Sequence, residues 1–352
     1  MRSIDTYLDD IENRLIPDQE EHILEQWRSF ARGEWSEPFF EPRRTETRKP
    51  SVEWPEININ DAIESDELMV VDQFARLSKQ LETGFGGLLS VRSNFGVGIM
   101  PSLFGTELFI MPREMNTLPN VRPLAGGEAA LRETAEGPIP DFSNGHGPAV
   151  MRVGRIYNES YDRYPKIAAY VRTDHPDCQG PMDVVELLWG SDMFLALYDQ
   201  TDLVKRLLEK VTDTYKAFLD AWFSLSPPKD ELHAYFGNAH LGAICVRDDS
   251  AMNLSPQMYE EFILPYNDAV LTHFGGGAIH SCGRVDHFAP LLTKMEHLHG
   301  FNMSQPEYND METVYEHTVD KGLPMIGLKR STVEAARESG RDLRGLVSTS
   351  PS

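Results

Sequence analysis

Apolar residues recur along this chain in two rhythms, one helical and one of short runs. Near the N-terminus Ile4, Leu8, Ile11 and Leu15, then Ile23, Trp27 and Phe30, stand three or four positions apart, a spacing that gathers side chains on one face of a helix. Residues 4–31 therefore predict one or two amphipathic helices, expected to lie outside the main fold. Residues 36–56 are rich in proline and charge and read as an extended connector. From Ile57 onward short apolar runs alternate with helical patterns, so residues 1–56 are assigned to N-terminal helices and connector, and residues 57–352 to the main domain. Its longest helix is expected over residues 202–222, with Leu203, Leu207, Val211, Tyr215, Phe218 and Trp222 on one stripe.

The C-terminal third repeats a unit. Residues 277–282 read as a short buried strand and 285–297 as a helix; 299–304 and 310–321, then 323–327 and 331–339, repeat the pair, and 345–349 add a last apolar run. Repeated strand and helix units imply parallel strands covered by helices. Ser255 followed by Pro256 marks a helix start, with a kink expected at Pro265. Earlier strands are expected at 88–92, 168–172, 233–236 and 243–246, which makes eight candidates. The expected fold is an α/β (β/α)8 TIM-like barrel with extra N-terminal helices. The candidates near 234 and 244 have no helix between them, so one must be an excursion from the parallel series.

Composition narrows the class. With 352 residues, 41% of them hydrophobic and 25% charged, the chain can bury a full core. A formal net charge of −22 repels phosphate backbones and anionic membranes, so neither nucleic acid nor a membrane is an expected partner. The one dense basic cluster, Arg43, Arg44, Arg48 and Lys49, reads as a solvated connecting segment. Three cysteines, Cys178, Cys245 and Cys282, make no disulfide framework and suit a reducing compartment. There is no secretory signal pattern and no run of 18 apolar residues, and a cytoplasmic location is expected.

Chemistry concentrates at strand ends. His280 and Cys282 are two apart in a strand, so they face the same way, at the C-terminal end where barrels place their active sites. An imidazole and a thiolate can converge on one ion, and zinc prefers such ligands. A satisfied histidine beside a buried cysteine would give the same pair, but Gly275, Gly276, Gly277 and Gly283 around it favour close approach of backbone or ligand. Arg247, Asp248 and Asp249 follow another apolar run; the carboxylates could ligate metal, act as acid or base or orient a histidine, and an Arg–Asp pair tying a loop is the plainer alternative. Further strand-end candidates, each singly better read as structural, are Asn302, Ser304, Glu307, Asp174, Asn238 and His240.

Leu254-Ser-Pro-Gln-Met-Tyr-Glu-Glu-Phe-Ile-Leu-Pro-Tyr266 followed by Ile279-His-Ser-Cys-Gly283, with Arg247-Asp-Asp249 upstream, resembles the uroporphyrinogen decarboxylase superfamily. It is closest to the branch of corrinoid-dependent methyltransferases with a His-x-Cys-Gly motif. Pro101-Ser-Leu-Phe-Gly105, Gln179-Gly-Pro181 and Leu188-Trp-Gly190 match weaker signatures in the same order, so the resemblance spans about residues 75–350. It implies a (β/α)8 barrel. It also implies that His280 and Cys282 bind a zinc ion that activates a thiol as thiolate, which takes a methyl group from a corrinoid on a partner protein.

Two departures from that pattern matter. The branch supplies a further cysteine near the last strand, and residues 345–352 contain none. Zinc would need Glu307, Asp248, Asp249 or another oxygen ligand, and the glutamate that cobalamin-independent methionine synthases use after their His-x-Cys makes Glu307 the substitute. The arginine-rich motif of the true decarboxylases is also missing. Three functions follow: zinc-dependent methyl transfer, with His280, Cys282 and Glu307 as metal ligands and Arg247, Asp248 and Asp249 as catalytic candidates; decarboxylation of a tetrapyrrole or other carboxylated aromatic; and a catalytically silent binding protein. A small-molecule substrate, a corrinoid protein and a second copy of the chain are the partners to consider.

Overall fold

The computed structural model describes residues 2–350. They form a mixed α/β fold whose centre is a five-stranded parallel sheet. In chain order the strands are β1 (Leu89–Val91), β2 (Leu108–Phe109), β3 (Asn120–Val121), β4 (Val171–Thr173), β5 (Leu232–Tyr235), β6 (Asn238–Leu241), β7 (Ile244–Arg247), β8 (Gly277–Ser281), β9 (Leu298–Met303), β10 (Met325–Leu328) and β11 (Val347–Thr349). The large sheet runs β7-β8-β9-β10-β11 in order, β1 pairs with β4 in parallel, and β2 and β3 make a short antiparallel ribbon. Isolated parallel bridges add Gln179 beside Arg247 at one edge of the large sheet and Phe40 beside Ser348 at the other.

Each expected strand has a counterpart, and the conflict near 234 is resolved by a hairpin. β5 turns back into β6 through Phe236 and Gly237, both with positive φ, so it leaves the parallel series while β7 stays in it. Expected helices match less evenly. Thr201–Leu225 is one helix, and Ser255 caps the helix Pro256–Phe262 by accepting from Met258 N, with a break at Ile263 before Leu264–His273. The helix expected over 285–297 shrinks to Ala289–Leu292. The Asn309 carboxamide oxygen accepts from Val285 N at 2.7 Å and Asp286 N at 3.0 Å and ties the segment before it to the loop after β9.

Strand alternation gives the sheet two unlike faces. Val246, Ile279, Phe301, Met325 and Val347 pack with the helices in the larger apolar core. Cys245, Ala278 and Ile326 belong to a smaller core with the β5–β6 hairpin. Two N-terminal helices, α1 (Ile4–Arg14) and α2 (Pro17–Ala31), complete these cores instead of lying outside them. Leu8, Ile11 and Leu15 join the larger one; Ile23, Trp27 and Phe30 join the smaller, which also takes Phe40 from the connector. The connector is anchored too: Arg44 is buried and holds Glu20 of α2 through two hydrogen bonds of 2.8 and 2.7 Å, whereas Arg43 and Arg48 are exposed as expected. No helix among the described residues is long and apolar enough to cross a membrane.

Candidate metal centre

The C-terminal ends of β7, β8 and β9 set three polar side chains in one row. Arg247 pairs in register with His280, and His280 with Asn302. Because alternate residues share a face, this row lies on the face that carries Cys245 and Ala278. Beyond β8 the chain continues to Cys282 and turns at Gly283, whose φ of +75° suits glycine and where a Cβ would press on the Met252 side chain. At the other end of β8 a Cβ on Gly277 would fall 2.0 Å from Ile244 O, so the glycines bracketing this strand allow close backbone approach.

His280 Nε2 lies 3.4 Å from Cys282 Sγ and 3.7 Å from Asp249 Oδ1. The three donor atoms all fall within 4.8 Å of one another. A tetrahedral zinc with bonds of about 2.0–2.3 Å has ligand-to-ligand edges of about 3.3–3.7 Å, and the two distances from His280 Nε2 are of that size.

Asn302 decides which imidazole nitrogen is presented. Its Nδ2 donates to Ile326 O, which turns its Oδ1 toward His280 Nδ1 at 2.5 Å. Nδ1 must then carry the proton, leaving the Nε2 lone pair aimed at Cys282 and Asp249. Burial lowers the His280 pKa, Asp249 opposing it, and the neutral ring is the form that ligates. Burial also pushes the Cys282 thiol up to about 11, with Ser304 working against the shift. Ser304 Oγ is 3.4 Å from Sγ. Without a cation nearby, this sulfur is a thiol at neutral pH.

Backbone contacts fix Asp249. Its N donates to Asp183 Oδ2 at 3.0 Å and its Oδ1 accepts from Cys282 N at 2.8 Å. Burial and the neighbouring Asp249 charge raise Asp183 to about 7. Asp248 turns away from the three donors: its N donates to His280 O at 2.8 Å, while its buried carboxyl is pushed well above the ordinary range by burial and by Asp183. Arg247 is buried, paired with Asp177 at 3.0 Å and set over the Tyr235 ring at 4.5 Å. Arg92 and Arg247 together hold Asp177 down to about 2 against the opposing effect of burial.

Glu307 is exposed and paired with Lys329 at 3.1 Å, away from the group formed by Asp249, His280 and Cys282. Asp174 is buried and accepts from Ser90 Oγ at 2.8 Å. Asn238 and His240 sit buried in the hairpin, with the His240 ring 5.4 Å from that of His233. Asp177, Asp183 and Tyr235 carry no signature in the sequence that marks them for this site. Asn302 and Ser304 stand out only as residues at a strand end, and pairing their strand with β8 is what joins them to it.

No protein-family model and no curated protein matches the chain. Among solved structures it is similar to a methyltransferase from Methanosarcina mazei, with a TM-score of 0.63 and 16% sequence identity over 93% of this chain and 92% of that one. At that identity the likeness is one of fold.

Proposed function

We propose that the protein is a zinc-dependent methyltransferase that moves a methyl group from a corrinoid or a heteroatom to a thiol. The observation that carries this reading is the convergence of Asp249, His280 and Cys282, with the Nε2 lone pair turned inward by Asn302. A zinc ion held by these residues would supply the positive charge that brings a thiol to its thiolate at neutral pH. In the overall reaction the thiol gives up its proton, its sulfur bonds the methyl carbon, and the electron pair of the broken bond stays with the donor. Asp249 takes the place proposed for an oxygen ligand, and the Methanosarcina mazei methyltransferase lends the fold a precedent.

The same reading includes a closed (β/α)8 barrel, supported by the bridges at Gln179 and Phe40 that extend both edges of the five-stranded sheet. A corrinoid would arrive on a partner protein. Decarboxylation of a polycarboxylate is less well served: Arg92 and Arg247 are both paired with Asp177, and Arg172 with Asp230.

Metal content of untagged protein, measured by plasma mass spectrometry, tests the proposal. About one zinc per chain, lost in His280→Ala and in Cys282→Ser, is expected. Metal at background after zinc is supplied under reducing conditions would overturn it.

A further inference from the structure

A cavity of about 180 Å³ opens where the helix Asp66–Thr83 meets the C-terminal end of β1. Most polar side chains that line it already have partners: Gln73 and Arg76 hold Asp72, Gln80 donates to Gly87 O and Leu88 O, Ser90 donates to Asp174, and Arg92 is paired with Asp177. Asn94 and Asp174 also line it, only 4% and 8% exposed, and each keeps its Oδ1 without a hydrogen bond. A buried acceptor left unpaired is costly, so both oxygens have a donor to meet. Phe236 gives a second, independent sign. β5 returns into β6 through Phe236 and Gly237 alone, at φ of +47° and +78°, a two-residue turn that suits Asn-Gly and strains a bulky side chain. The Phe236 ring lines the same cavity and is 56% exposed, with the Arg92 guanidinium 4.4 Å from its centroid. A strained backbone that holds an aromatic ring out in the open is a feature of ligand clamps.

We infer that this cavity binds a neutral, planar nitrogen heterocycle bearing an amino group, whose N–H donors meet Asn94 Oδ1 and Asp174 Oδ1 while the ring lies along Phe236. Both unpaired atoms are acceptors, so the ligand brings the donors, and an anion would set lone pairs against lone pairs. A cation meets Arg76 and Arg92 in the same lining, and it gains little from Asp174, whose carboxyl is pushed up to about 7 by burial. An amino group on an aromatic ring supplies two N–H donors without a charge. The volume is below the roughly 300–1,000 Å³ of pockets that enclose a whole ligand, which suits a single ring whose substituents lie outside. Tyr235 joins this cavity to the metal centre, its ring centroid 4.8 Å from that of Phe236 and 5.5 Å from that of His280. Neither a metal ion nor a thiol enters this recognition, so it holds independently of methyl transfer.

Calorimetric titration of the full-length chain at pH 7 tests this with four single-ring probes. 2-Aminopyrimidine is expected to bind about tenfold more tightly than pyrimidine, which has the same ring and no N–H donor, and more tightly than benzoate or benzamidinium, which carry a charge of either sign. Asn94→Leu removes one acceptor, and Phe236→Asn removes the ring while keeping a residue that tolerates the turn. Each should weaken 2-aminopyrimidine several-fold, with circular dichroism reporting intact folding, and Phe236→Asn alone decides if Asn94→Leu does not fold. His280→Ala should leave the affinity unchanged, and in that variant a retained preference for 2-aminopyrimidine supports the cavity even where the methyl-transfer reading fails. Pyrimidine or a charged probe binding as tightly as 2-aminopyrimidine, no binding of 2-aminopyrimidine, full affinity in Phe236→Asn, or affinity lost in His280→Ala would overturn the inference.

Discussion

The imidazole Nδ1 of His280 lies 2.5 Å from the carboxamide oxygen of Asn302, its in-register neighbour on the adjacent parallel strand. Parallel pairing fixes the two side chains on one face. The second hydrogen bond of Asn302, to Ile326 O, then fixes which end of the amide meets the ring. The tautomer of His280 is thereby set by three strands at once. A ligand whose lone pair is already aimed loses less freedom on binding an ion.

Replacing Asn302 with alanine should therefore weaken zinc binding by roughly 10–100-fold while His280 and Cys282 remain in place. Competition with a chromophoric chelator measures the affinity. Nitrogen-15 spectra of the imidazole in metal-free protein should show a mixture of tautomers in the variant and a single Nδ1-protonated form in the wild type.

The two acidic candidates for the oxygen ligand should behave differently. Asp249 is 3.7 Å from His280 Nε2, whereas Glu307 spends its charge on Lys329 at the surface. Asp249→Asn should lower zinc occupancy measured by plasma mass spectrometry after dialysis against a mild chelator, and Glu307→Gln should retain the wild-type value. A reversal of that order would move the third ligand to Glu307.

These contrasts show where the sequence is readable. His280 and Cys282 are two apart on one strand, so a local rule puts them together. Asp249 is recognisable as one of two adjacent carboxylates after a strand, but which of the two turns toward His280 depends on backbone contacts made by Asp183 from a helix far earlier in the chain. Register between strands, which brings Asn302 to His280, is a tertiary property. The periodicity of residues 4–31 likewise reports that one face is apolar without saying what covers it. The structure supplies both cores as the answer.

Asp174 predicts a pH dependence of stability. Burial raises its carboxyl from 3.8 to about 7, outweighing Ser90 and the arginines Arg92, Arg247 and Arg172. The folded chain thus binds a proton between those values that the unfolded chain has released, and stability falls as pH rises through the interval. The slope from this one group is about 1.4 kcal/mol per pH unit at most. Urea unfolding from pH 4 to 8 should show that fall flattened in Asp174→Asn, with the variant gaining most relative to wild type at pH 8. An unchanged slope would mean that Asp174 is ionised in the folded chain throughout.

Trp27 tests whether the N-terminal helices can be detached. It is fully buried, its ring centroid 4.7 Å from that of Phe40, and its indole N–H donates to Gly86 O at 2.9 Å. It shares its core with Cys245, Ala278 and Ile326 on the sheet face that carries His280. Trp27→Ala should cost about 3–5 kcal/mol, read as a lower urea midpoint for the whole chain in one transition. Removing residues 1–35 would uncover that core and strip Arg44 of its carboxylate partner Glu20. The shortened chain is expected to be insoluble or molten, and a truncated protein that folds cooperatively and still binds zinc would show that α1 and α2 are an addition to an independent fold.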